Sequence, residues 1–152
     1  MLPGASVSRS LQDRDLLLLL HKIHPEDSSK GYTPAYEFLM FREHDLELLG
    51  HLSIRIGDNQ NLRNWDGHIG FAVLENHRGH AYALRACKLV IPILKHHKID
   101  PVFITCDPIN WASRKTIENL GAKFIEIVDI PEWHESYFLG NRQKCRYQWN
   151  LG

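Results

Sequence analysis

Apolar positions along this chain recur with two different periods. Residues 36–41, Tyr-Glu-Phe-Leu-Met-Phe, are rich in aromatic side chains and predict a strand. Leu52, Ile54 and Ile56 alternate within residues 48–56, which predicts a second strand, and the polar turn at residues 42–45 makes the two a hairpin. Ile69, Phe71 and Val73 share one face of a strand over residues 68–73. Residues 101–106, 123–129 and 142–151 read as three more strands. Helical spacing appears in residues 79–97, where Leu84, Cys87, Ile91 and Leu94 fall on one face; Pro92 inside that stretch should kink it or end it early. Residues 110–120 predict another helix, stopped by Gly121. Residues 11–23 read as a short helix that begins at the cap pair Ser10 and Asp13 and ends before Pro25. Residues 26–33 and 58–66 are polar and read as loops. Strands that alternate with helices in the second half predict a mixed α/β fold with a partly parallel sheet.

Composition narrows this picture. The 152 residues suit one domain, residues 1–152, around one core. The formal net charge is zero, so no global field recruits nucleic acid or an anionic membrane, and neither is expected as a partner. Ten histidines would make the chain cationic below about pH 6. Cys87, Cys106 and Cys145 are odd in number and form no C-x-x-C, which points to reduced thiols in a cytoplasmic protein, with no metal site. The leucine run at residues 16–20 is far shorter than the ~20 residues of a membrane span. Asp13, Arg14 and Asp15 in front of it are wrong for a secretory signal.

One stretch bears chemistry. After the strand ending at Val73 and the short link Asn76-His77 comes Arg78-Gly79-His80-Ala81-Tyr82-Ala83, and then a helix. A helix start offers unpaired N–H groups and partial positive charge, and small residues at Gly79, Ala81 and Ala83 let an anion such as a pyrophosphate approach. The same residues also suit an ordinary strand-to-helix turn packed closely. No G-x-x-x-x-G-K-[ST] loop, G-x-G-x-x-G fingerprint or deaminase motif occurs.

Gly67-His68-Ile69-Gly70-Phe71-Ala72-Val73 followed by Arg78-Gly79-His80-Ala81-Tyr82-Ala83 resembles the R/Q-x-x-G-x-G/A acetyl-CoA signature of the GNAT acetyltransferases. Further along, the Ile104-Thr105-Cys106-Asp107 strand, Asn110 and Ser113 as N-x-x-S, and Glu118 to Gly121 as E-x-x-G resemble the second signature of that family. The resemblance covers residues 36–149, and the GHIG and ITCD stretches make the chain similar to a group of predicted bacterial acetyltransferases. It implies a mixed central sheet flanked by helices, in which the family's fourth and fifth strands splay apart to admit the pantetheine arm. It implies acetyl-CoA as co-substrate and an amine as acceptor, either on a small molecule or at a peptide N-terminus, in a monomer or homodimer. Phe71, Ala72 and Val73 would offer backbone hydrogen bonds to the pantetheine. Arg78, Gly79, His80, Ala81, Tyr82 and Ala83 would hold the pyrophosphate. Asn110 and Ser113 would also contact the coenzyme, Asn110 by bonding the pantetheine, or it would cap its helix, or both.

The catalytic groups are less determined. His68 and Glu75 lie nearest the place of a general base, while Asp66, His51 or a water relay are alternatives. His68 could equally be a buried structural histidine and Glu75 a solvated turn residue. The tyrosine that many members use to protonate the thiolate is Ile117 here, and the nearby hydroxyl is Ser113, in a pattern shared with ribosomal-protein N-terminal acetyltransferases. Ser113 could instead only pack or bond its own helix. Residues 131–137, with Trp133 and two glutamates, would border the acceptor site. Ala81 replaces the family's central glycine and is read as helix-compatible. With Ile117, it leaves open a second reading, a coenzyme-binding interaction module without activity.

Overall fold

A computed structural model describes residues 9–27, 29 and 33–152. Within these residues eight strands form one sheet: β1 Ser10–Asp13, β2 Leu16–His24, β3 Ala35–Arg42, β4 Leu48–Arg55, β5 Ile69–Val73, β6 Val102–Cys106, β7 Lys123–Asp129 and β8 Gln143–Trp149. Their order is β1-β2-β3-β4-β5-β6-β8-β7. Every neighbouring pair is antiparallel except β5 and β6, which run parallel. Among the described residues, four α-helices accompany them: α1 Tyr82–Leu89, α2 Ile91–His96, α3 Trp111–Asn119 and α4 Glu135–Phe138. This is the mixed α/β architecture expected. The loop expected at residues 26–33 falls partly outside the described residues.

The segment at residues 11–23 is not a helix but a hairpin. Leu16 and Leu18 are buried while Leu17 and Leu19 are half-buried, the period of a strand, and β2 pairs along its length with β3. An unbroken leucine run satisfies helix and strand equally, so tertiary pairing decides it. The turn is made by Arg14, whose φ is 55°, and by Asp15. Asp13 and Asp15 then grip Arg85 of α1: Arg85 Nε donates to Asp13 Oδ2 at 2.7 Å and Nη2 to Asp15 Oδ1 at 2.6 Å. The Tyr82 hydroxyl also donates to Asp15, at 3.1 Å. Arg85 holds both carboxyls below the ordinary range, chiefly through these hydrogen bonds.

The long helix expected over residues 79–97 is two helices. Pro92 lies in the first turn of α2, where its missing N–H costs no hydrogen bond, and Val90 ends α1. One core cluster joins Leu16, Leu18, Phe38, Leu52, Ile54 and Ile69 to Tyr82, Ala86 and Cys87 of α1, Leu94 of α2 and Ile117 of α3. The three longer helices therefore share one face of the sheet. A single π-helical turn, Leu62–Asp66, packs on the other face. There the Thr105 hydroxyl donates to the Trp65 carbonyl at 2.7 Å and Arg146 Nε to the Arg63 carbonyl at 2.8 Å. Among the described residues, no helix is long and apolar enough to cross a membrane.

Gly50 of β4 faces Val73 of β5, and a β-carbon on Gly50 would run into the Ala72 carbonyl oxygen. Gly50→Ala should therefore destabilise the fold by about 1–3 kcal/mol through overpacking against backbone that cannot yield. Urea denaturation of the two proteins checks this, and an unchanged midpoint would show that β4 and β5 can separate there without cost.

Candidate active site

Two parallel strands are held together at one end only. β5 and β6 share a single register pair, Ile69 with Ile104. Just before it the contact is tight. A β-carbon on Gly67, at φ 72°, would lie 3.1 Å from both the Phe103 oxygen and the Thr105 nitrogen. The His68 N–H donates to the Phe103 carbonyl at 2.6 Å, and the Phe103 N–H donates to His68 Nδ1 at 2.9 Å. With Nδ1 accepting, the proton of the neutral ring sits on Nε2, which donates to the Gly57 carbonyl at 2.9 Å. His68 is 2% exposed, and burial pushes its pKa below the ordinary value. Beyond Ile69 no further register pair joins β5 to β6.

A groove of 380 Å³ runs along that end of β5, between the start of α1 and α3. Phe71, Ala72, Val73, Arg78, Gly79, Ala81, Tyr82, Ala83, Asn110 and Ser113 all line it, so ten of the residues singled out for the coenzyme come together; His80 does not line it. No N–H from residue 79 to 84 donates to another backbone group among the described residues, so a run of donors is available to an anion. Ala81 is not a helical residue. It has φ 58° and ψ 28°, the left-handed region, and stands as N-cap of α1. Arg78 Nε donates to the Val73 carbonyl at 3.3 Å. Asn110 caps α3, accepting from the Ser113 N–H at 3.1 Å, and Ile117 is fully buried beneath the groove. Ala112, Lys115, Thr116 and Asn119 also line the groove and were missed from the sequence, although their i, i+3, i+4, i+7 spacing along the expected helix was the available signal. His77 was missed too. It is 9% exposed, and its Nε2 is 3.4 Å from a Glu47 oxygen.

On the other face lies a larger cavity of 760 Å³. Trp133, His134 and Glu135 line it together with Arg55, Asn61, Leu62 and Asp66. His134 is buried; its Nε2 lies 3.0 Å from Asp66 Oδ1 and 3.1 Å from Asn61 Oδ1, and its Nδ1 accepts from the Ser136 N–H. Trp65 stacks edge-on against Trp133 with ring centroids 5.4 Å apart. Glu75 and His51 are exposed and line neither space, and His68 lies beneath both with its two nitrogens engaged.

Residues 9–123 match the family described as Acetyltransferase (GNAT) domain, and the chain belongs to that family of acetyltransferases. Solved structures repeat its fold. The ribosomal-protein-S5-alanine acetyltransferase of Vibrio fischeri has a TM-score of 0.68 at 13% identity, over 93% of this chain and 96% of that one. The acetyltransferase of Salmonella typhimurium that modifies the N-terminal serine of ribosomal protein L7/L12 has a TM-score of 0.59 at 19% identity, over 82% of this chain and 67% of that one. The microcin C7 self-immunity acetyltransferase MccE, solved with acetyl-CoA and AMP, has a TM-score of 0.59 at 18% identity, over 77% of this chain and 61% of that one. No curated protein sequence matches the chain.

Two expectations follow from this geometry. Ala81→Gly should stabilise the fold by about 0.5–1 kcal/mol. A left-handed β-carbon costs roughly 1–2 kcal/mol, and the added freedom of glycine in the unfolded chain returns part of it. A lower melting temperature would show that the left-handed turn is not strained. His68 has a depressed pKa in the folded protein, so its unfolded counterpart takes up a proton first as pH falls. Its contribution to stability is thus complete above about 6.5, the ordinary value, and is lost progressively as pH falls below it toward the folded value. The stability of His68→Gln should depend less steeply on pH in that window. Parallel pH profiles for the two proteins would contradict this.

Proposed function

We propose that this chain transfers the acetyl group of acetyl-CoA to a primary amine, on a small molecule or a peptide N-terminus, with the coenzyme in the groove along β5. The observation that carries the reading is the meeting, in one groove, of the β5 edge, the unpaired N–H run at residues 79–84, and Asn110 with Ser113 at the start of α3. The pyrophosphate would take the N–H run and Arg78. The pantetheine would lie along Phe71 to Val73 toward Asn110, and the thioester would reach the point where β5 leaves β6.

In the reaction a neutral amine attacks the thioester carbonyl, a C–N bond forms, the C–S bond breaks, and the amine loses its proton. A β5 N–H near Val73 would stabilise the oxyanion. Among the candidate bases, Asp66 lines the cavity on the acceptor side, whereas His68 would first have to give up a hydrogen bond to receive a proton. We read His68 as the residue that positions β5 against β6, and Asp66, directly or through water, as the group that takes the proton. Ile117, standing where many members of the family have a tyrosine, has no proton to give, so the thiolate is protonated by Ser113 or water. A thiol of pKa about 8.5 departs readily, so the need for an acid is modest.

Calorimetry with acetyl-CoA and thiol release across a panel of amines test the proposal. Binding together with thiol release by at least one amine is expected. The absence of heat and of a melting shift at millimolar acetyl-CoA would sink it. Ser113→Ala should lower turnover while leaving acetyl-CoA affinity nearly unchanged. General acids contribute ~10²–10⁴ in rate, and full turnover from roughly pH 6 to 9 would show that thiolate departure needs no serine.

A further inference from the structure

The cavity on the acceptor side holds a guanidinium that has no carboxylate of its own. Arg55, at the end of β4, is mostly buried and lines the cavity. Its Nη1 donates to the backbone carbonyls of Asp66 at 3.1 Å and Gly67 at 3.3 Å. Among the described residues, no carboxylate oxygen lies within the 4.0 Å of an ion pair with it. Asp66 acts on it through space, but the Asp66 carboxylate is turned to His134 and Asn61. Burial accordingly pulls the Arg55 pKa down, as it does for a cation that has lost water without gaining an anion.

The position of the side chain makes this more than a structural arginine. Its guanidinium lies over Gly70, where a β-carbon would be 3.3 Å from both Nη1 and Nη2. Gly70 is the residue of β5 immediately before Phe71, which lines the coenzyme groove. A glycine at this point gives the guanidinium room beside the strand that would carry the thioester. Three acidic residues, Asp27, Asp66 and Glu135, line the same cavity together with Trp133. One mostly buried cation and several acidic residues lining one cavity match a ligand that carries both charges. Guanidinium forks bind carboxylates through paired hydrogen bonds, and the Arg55 Nη2 and Nε have no partner assigned among the described residues.

Resting on the acetyltransferase reading above, we propose that the acceptor is a zwitterionic amino compound of the α-amino-acid class, its carboxylate held by Arg55 and its amino group on the side of the acidic residues. A neutral amine or an amidated amino acid lacks the group that Arg55 would bind. The specificity follows because a site built around a buried charge rejects an analogue that leaves the charge unpaired.

The test measures quenching of the protein's tryptophan fluorescence, since Trp133 lines the cavity. The L-amino acids other than tryptophan, and their α-amides, are titrated with coenzyme A present. At least one amino acid should bind at least about tenfold more tightly than its amide, equivalent to ~1.4 kcal/mol. Arg55→Gln should remove that preference, and Arg55→Lys, which keeps the charge, should retain part of it. Calorimetry with acetyl-CoA on each variant shows whether the coenzyme site and fold survive. Amides that bind as well as the acids would overturn the proposal. So would a preference that survives in Arg55→Gln, or no quenching by any amino acid at millimolar concentration. Absence of acetyl-CoA binding by the unmodified protein would instead strike the coenzyme reading, and the same titration repeated without coenzyme A keeps the amino-acid preference apart from it.

Discussion

Everything near the groove depends on how β5 meets β6. Parallel neighbours ordinarily share a ladder along their length, and here they share one register pair. Gly67 and His68 supply the approach: the glycine removes the side chain that would hold the strands apart, and the histidine ring completes the hydrogen bonding of Phe103. A histidine does this well because one ring nitrogen accepts and the other donates. Its burial keeps it neutral, so both roles persist at neutral pH. Beyond the pin, backbone groups of β5 are left for a ligand, and the sheet remains one sheet.

The helix start opposite β5 follows from the same logic. Gly79 and Ala81 both have positive φ, so the chain turns sharply before α1 beside the groove and leaves its first N–H groups without a backbone acceptor among the described residues. Asn110 does the complementary work on α3, where its side chain satisfies one N–H of the first turn. The sheet itself is ordinary. Alternating burial along β2, β3 and β4 gives one face to the core, and the core includes all three longer helices.

Strands with clean alternation, such as β4 and β5, and the Gly121 helix stop were legible in the sequence because local pattern and tertiary role agree there. The groove was legible because most of its lining falls in two short stretches, residues 71–83 and 110–119. The leucines of β2 were not, since five identical residues carry no period. Ala81 was misread as helical because alanine is the best helix former, and the left-handed turn is imposed by its surroundings. Arg55, Asp66 and His134 are scattered through the chain, so nothing in local spacing joins them. Only the folded sheet brings them to one cavity.

The clamp of Arg85 between Asp13 and Asp15 has a mechanical meaning. The tip of the outermost hairpin is tied to the helix whose first turn faces the groove, through three hydrogen bonds of Arg85 and one of Tyr82, itself a groove residue. The far edge of the sheet thus acts as an outrigger for the turn that starts α1. An alteration in the tip loop would be transmitted along α1 to the mouth of the groove, from a part of the sequence that no motif search would connect with it.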